Sequence, residues 1–242
     1  MKFRLLLTAA LLTSASLSAQ TLIHAYDFSG GTVTDLVGSA NATLMNGATV
    51  SNGHLALDGV NDYAIFDTQI VPTGGTAFTV MISAQADGPL NLVGHHALLG
   101  QGNYGSPAGF FIGYHTDNGH MRAGDSWEDI GVPYPTDGLW HSYVVTYEGT
   151  TTSFYLDGTI VGSHQYANPI ASADSANTVL GAAIYGGNEY FKGSIANVQI
   201  YNGAMSASQV AAAVPEPATT ALAAAGLALG VVLLRRRRAV AA

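Results

Sequence analysis

Between Gln20 and Ala213 the chain holds three glutamates, Glu128, Glu148 and Glu189, for any reaction that needs a pair of carboxyl groups. A strand presents two carboxylates to one substrate only when they alternate along it. Glu128 is followed directly by Asp129, which sends the two side chains to opposite faces; Glu148 precedes a turn glycine, and Glu189 stands alone. No Gly-x-Ser-x-Gly elbow occurs. With no cysteine there is no thiol nucleophile, thiolate zinc site or iron–sulfur cluster. His95-His96 and the group His115, Asp117 and His120 match no established metal spacing and read as exposed turn histidines. Catalytic residues: none can be named.

Binding chemistry is better represented. The stretch Asp125–Asp137 reads as irregular and carries Asp125, Trp127, Asp129 and Tyr134, with Arg122 just before it. Aromatic rings can stack on pyranose rings while carboxylates and a guanidinium bond the hydroxyls, so these five residues form the candidate ligand site. The charge balance limits the ligand. Arg122 and Lys192 are the two bases of residues 20–213 against fifteen acids, a net of about −13 where the whole chain has −8. That field repels nucleic acid and anionic polymers. It draws divalent cations, among which calcium favours carboxylate oxygens.

The elements that would position these residues are short strands separated by glycine and Asx turns. Ala77–Ala86 alternates most clearly, with Phe78, Val80, Ile82 and Ala84 on one face and Thr79, Met81, Ser83 and Gln85 on the other. Asn46-Gly47, Asn52-Gly53, Asp58-Gly59 and Asp157-Gly158 each suit a tight turn. Asp117-Asn118-Gly119 reads as a hairpin tip, and Ser206 can cap a short helix over 207–213. Such strand density predicts a β-sandwich.

Five segments in order carry a family resemblance. They are Gly53–Tyr63, Phe78-Thr79-Val80, Leu139–Gly149, Phe154–Gly158 and Lys192–Ser206. They resemble the LamG-like, concanavalin A-like jelly rolls, which implies an all-β fold of two antiparallel sheets packed face to face. Glycan hydrolases of this fold are similar in a strand bearing Glu-x-Asp-x-x-Glu, which this chain lacks. Many relatives hold a structural calcium with acids near the first and last strands. The resemblance makes Asp27 and Asp35 the candidate metal ligands, although Ala196 stands where a further carboxylate would be. It implies a non-catalytic binding or adhesion module for extracellular polysaccharide. The alternatives are a structural surface protein without a ligand site and a polysaccharide-active hydrolase or lyase.

Both ends read as addresses. Residues 1–19 have the basic, apolar and small-residue parts of a secretory signal peptide, leaving 20–213 as one domain. In the tail, 214–242, Val214-Pro215-Glu216-Pro217 is followed by an uncharged span over 218–234 and then Arg235, Arg236, Arg237 and Arg238. The span is at the short end of what crosses a bilayer as a helix, and the arginines hold its far side in the cytoplasm. The three parts together resemble a PEP-CTERM sorting signal. That implies membrane insertion through the C-terminal helix, removal of the tail by an exosortase-type enzyme, and residence at the envelope surface or matrix of a Gram-negative-type bacterium. Intact mass of the surface-extracted protein is expected to lack the tail; a steady-state chain ending at Ala242 would instead leave an ordinary anchor.

Overall fold

The computed structural model describes residues 20–87, 95–102, 109–115, 117–125, 128–166, 177–183 and 189–214. The signal peptide over 1–19 and the tail beyond Val214 lie outside the described residues, as does Trp127. Among the described residues no helix is long and apolar enough to cross a membrane.

In chain order the strands begin with β1 (Thr21–Tyr26), β2 (Ala42–Met45), β3 (Thr49–Ser51), β4 (His54–Asp58), β5 (Tyr63–Phe66) and β6 (Phe78–Ala86). They continue with β7 (His95–Gln101), β8 (Phe110–His115), β9 (His120–Asp125), β10 (Glu128–Pro133), β11 (His141–Glu148) and β12 (Thr151–Leu156). The last are β13 (Thr159–Gln165), β14 (Thr178–Leu180), β15 (Ala182–Ala183), β16 (Glu189–Tyr190) and β17 (Lys192–Asn202), followed by the helix α1 (Ala207–Ala213). One sheet runs β13-β12-β11-β6-β17-β4-β3, with β1 on β17; the other runs β10-β9-β8-β7-β14-β5-β2, with β15 and β16 beside it. The fold is the expected antiparallel jelly-roll sandwich, with no closed barrel.

The alternation of β6 is realised in its packing. Phe78, Val80, Ile82, Ala84 and Ala86 are buried between the sheets. On the other face Met81 is also buried, with Val144, Tyr155 and Val210 of α1. The helix therefore covers part of the outer face of this sheet. Ser206 starts it as foreseen, by a reciprocal capping box with Gln209.

Asn52-Gly53 and Asp157-Gly158 have positive φ at both residues, 53° and 77° and then 50° and 78°, the left-handed pair a type I′ hairpin needs. Two elements differ from the sequence reading. Residues 128–133 form β10 rather than an irregular stretch, paired to β9 with Asp129 opposite Arg122. Its half-buried and exposed residues alternate, with Ile130 and Val132 packing against the core. Glycine and proline in one short run hid that alternation.

The second difference is at His95-His96, which opens β7 instead of a turn. His96 is 3% exposed, its ring stacked on Tyr114 at 4.8 Å, and its Nδ1 lies 2.7 Å from the Tyr190 carbonyl. Strands β7 and β8 approach so closely that a Cβ on Gly113 would lie 2.1 Å from the His96 carbonyl oxygen. A side chain there would force the two strands apart.

Asp35 organises the loop after β1. One carboxylate oxygen accepts from the backbone N–H groups of Ala25, Val37 and Gly38, and the other from Ala40 N–H and His24 Nδ1, the last at 2.6 Å. Burial favours the neutral acid, but the His24 and backbone hydrogen bonds outweigh it and hold the pKa at about 2. The depressed value makes the stabilisation complete above the ordinary carboxylate pKa of 3.8 and lost as pH falls toward 2. It contributes about 2 kcal/mol. Asp35→Asn should therefore melt lower at neutral pH and lose less stability than the native chain between pH 4 and 2. Thermal melts across that range check this.

Candidate functional site

The tips of β8, β9 and β10 make a polar rim. The turn Asp117-Asn118-Gly119 joins β8 to β9, and β10 returns beside β9, so residues distant in sequence share one surface. Arg122 Nη2 donates to both Asp117 carboxylate oxygens, at 3.0 and 3.1 Å, and lies 3.6 Å from Asp129. Asn118 donates to Asp129 Oδ2 at 2.6 Å, and His120 Nδ1 is 3.0 Å from Oδ1 of the same carboxylate. His115 Nδ1 lies 2.6 Å from Asp117. Six side chains thus meet: two carboxylates, an amide, a guanidinium and two imidazoles.

The electrostatics of the rim suit binding better than proton donation. Desolvation would raise the pKa of Asp117, yet the hydrogen bonds with His115, Arg122 and Asn118 N–H and the Arg122 charge together bring it to about 2. Asp129 is also lowered: desolvation opposes, while Gly131 N–H, Asn118, His120 and Arg122 prevail. Both stay ionised at neutral pH, whereas a glycosidase's proton donor must have a raised pKa. Among the described carboxyls the raised one is Asp62, through burial and then the charge of Asp58. It serves a turn, accepting from Asp58 N–H beneath Gly47.

Of the five candidate ligand residues, the structure brings Arg122 and Asp129 together. Asp125 ends β9 on the same hairpin. Tyr134 is corrected: it is 3% exposed, stacked on Tyr143 at 5.3 Å and against Tyr114 at 4.5 Å. Its ring is part of the inter-sheet core and has no face for a sugar. The stretch has an odd spacing of apolar residues, and Pro133 and Pro135 on either side of Tyr134 masked its inward turn.

Asp35 and Asp27, the candidate calcium ligands, both accept hydrogen bonds within their own loop. The Asp35 oxygens are taken by five hydrogen-bond donors, and N–H groups pointed at a carboxylate repel a cation from it. Asp27 is exposed and accepts from Ser29 N–H and Oγ. Among the described residues no three His, Asp or Glu side chains form a metal-holding group.

Two side chains beyond the rim stand out. His141 lies between Asp157, 2.7 Å from Nδ1, and Asp137, 3.1 Å from Nε2. Its neighbour Trp140 is 44% exposed and meets the His54 ring edge-on at 5.9 Å.

A family profile described as the concanavalin A-like lectin/glucanases superfamily matches residues 57–211. The chain belongs to that superfamily. A second profile, the PEP-CTERM protein-sorting motif, matches residues 213–238 and marks an exported, envelope-associated protein. No curated protein matches the chain.

Solved structures agree on the fold of this superfamily member. Domain 4 of AbnA, an extracellular arabinanase from Geobacillus stearothermophilus solved with arabinotriose, is similar at 19% identity and a TM-score of 0.63. That match covers 81% of this chain and 99% of the domain. The Trypanosoma rangeli sialidase is similar at 19% identity and a TM-score of 0.57, over 78% of this chain and 32% of the sialidase. The chain thus spans about a third of that enzyme's length. The binding domain of Paraclostridial Mosquitocidal Protein 1 matches at 15% identity and a TM-score of 0.59, covering 78% of this chain and 51% of that one.

Burial favours neutral His141, but the hydrogen bonds to Asp157 and then Asp137 outweigh it and raise the pKa above 6.5. Raised in the fold, it stabilises fully below pH 6.5, and that contribution is lost as pH rises through the folded value. The native chain should lose melting temperature over that alkaline step and His141→Gln should not. An NMR titration placing His141 at or below 6.5 would contradict the assignment.

Proposed function

We propose that the protein is an exported, non-catalytic glycan-binding module, with the β8–β10 rim as its sugar site. It is sorted through its C-terminal tail, processed by an exosortase-type enzyme, and held at the envelope surface or in the matrix polysaccharide. The observation that carries this is the rim itself. Ionised Asp117 and Asp129, the Asn118 amide and Arg122 lie in one surface layer, where they can exchange hydrogen bonds with sugar hydroxyls. Trp127, in the segment between β9 and β10, is the stacking residue of this reading. An arabinotriose complex of a similarly folded domain supports the ligand class. A net of about −13 on residues 20–213 favours neutral glycans, or uronate polymers bridged by divalent cations.

The full chain in a zwitterionic detergent is expected to be retarded in gels containing linear arabinan, laminarin or dextran. Asn118→Ala or Trp127→Ala should weaken that retardation about tenfold, the loss of roughly 1.4 kcal/mol. Retardation unchanged in both variants would exclude the rim. Tight binding of alginate at low salt with chelator present would contradict the charge argument, because unscreened like charges oppose it.

A further inference from the structure

We propose that the uncovered part of the outer face of the β6 sheet is a second glycan site, for a neutral sugar, with Trp140 as its stacking surface. Trp140 directly precedes β11, in which His141 pairs with the inward-facing Ala84. Alternation then puts Trp140 on the outer face, opposite Gln85. His54 precedes the buried Leu55 on β4 and faces outward as well. Two strands, β6 and β17, lie between β11 and β4, so the two backbones are about 14 Å apart at ordinary strand spacing. Their rings are nevertheless 5.9 Å apart at 63°. Both side chains must therefore reach across the sheet, and the indole lies over it with 44% of the residue exposed. The Gly138 carbonyl, two residues before Trp140, accepts from Gln85 Nε2 and ties this approach to β6.

Further along the same face, toward α1, is a cleft of about 190 Å³ whose lining includes Met81, Ser83, Ser142, Asn197, Gln199 and Ala213. Ser142 follows Trp140 by two residues, so it shares the face about 7 Å further along the strand. The lining offers hydroxyls and carboxamides and has no charged group. The side chains of Ser83, Ser142 and Asn197 make no hydrogen bond to another described residue. Asn197 sits at φ 47°, where β17 shifts register against β6 between Ala196 and Gln199, and that irregularity places its side chain in the cleft. An aromatic plane on the same face as a cleft of uncharged hydrogen-bonding groups suits an oligomer of neutral sugars, one ring stacked on the indole and the next in the cleft. An anionic sugar would find no countercharge there. The site shares its ligand class with the rim but none of its residues.

The test uses the Trp127→Phe full chain, in which Trp140 is the one tryptophan left. Linear arabinan, laminarin and dextran are titrated in a zwitterionic detergent. A saturable change in Trp140 emission with at least one of them is expected. Asn197→Gly, which the positive φ accommodates, should weaken that response about tenfold without lowering the melting midpoint. Emission unmoved by all three polymers, or a response untouched by Asn197→Gly, overturns the proposal. Retardation that is lost in Asn118→Ala but kept in Trp140→Ala would sink this site and leave the rim standing; the reverse pattern would do the opposite.

Discussion

The sandwich depends on how the two faces of β6 are covered. It is the middle of its sheet, hydrogen-bonded to β11 on one side and β17 on the other. Its inner face supplies Phe78, Val80 and Ile82 to the core between the sheets, each stabilising by roughly 1.5–3 kcal/mol. Its outer face is buried at Thr79 and Met81 and becomes more open and polar at Ser83 and Gln85. The apolar part needs a cover, and α1 provides it through Val210, with Met205 and Val214 packed alongside. The polar part needs none; Trp140 lies there, and the cleft sits where that part meets Met81 and the end of α1. One strand's composition thus divides the outer face into a structural half and an open half. The same packing brings the last described residue, Val214, against Gly158.

The acids behave differently from what their number suggests. Asp35, Asp58, Asp129, Asp137 and Asp157 each accept backbone N–H groups that would otherwise lack partners in turns and loops. Arg122 and Lys192 are the two Lys or Arg residues of 20–213, and a histidine ring is a side-chain partner at four of these carboxylates: His24 at Asp35, His120 at Asp129, and His141 at Asp137 and Asp157. A strongly acidic composition therefore does not by itself create a cation site. An oxygen that already accepts three N–H groups, as one Asp35 oxygen does, is a poor ligand for calcium.

Local patterning was enough to place the strands with clean alternation and the turns that need positive φ. Phe78–Ala86, the Asp117–Gly119 tip, the Asp157-Gly158 turn and the Ser206 cap all follow from side-chain period and backbone sterics, which act over a few residues. The sandwich followed from their density and order, and the destination of the chain from the linear chemistry of its tail. What lay beyond local reach was decided by packing. Tyr134 went into the core because Tyr114 and Tyr143, on opposite sheets, leave space for a third ring between them. His96 went inside because β7 pairs with β8 so closely that residue 113 must be glycine. Trp140 stayed out, laid across two strands, because the sheet beneath it is lined by small polar residues contributed from distant parts of the chain. Burial is a property of what arrives from elsewhere in the sequence, and no window of neighbours contains it.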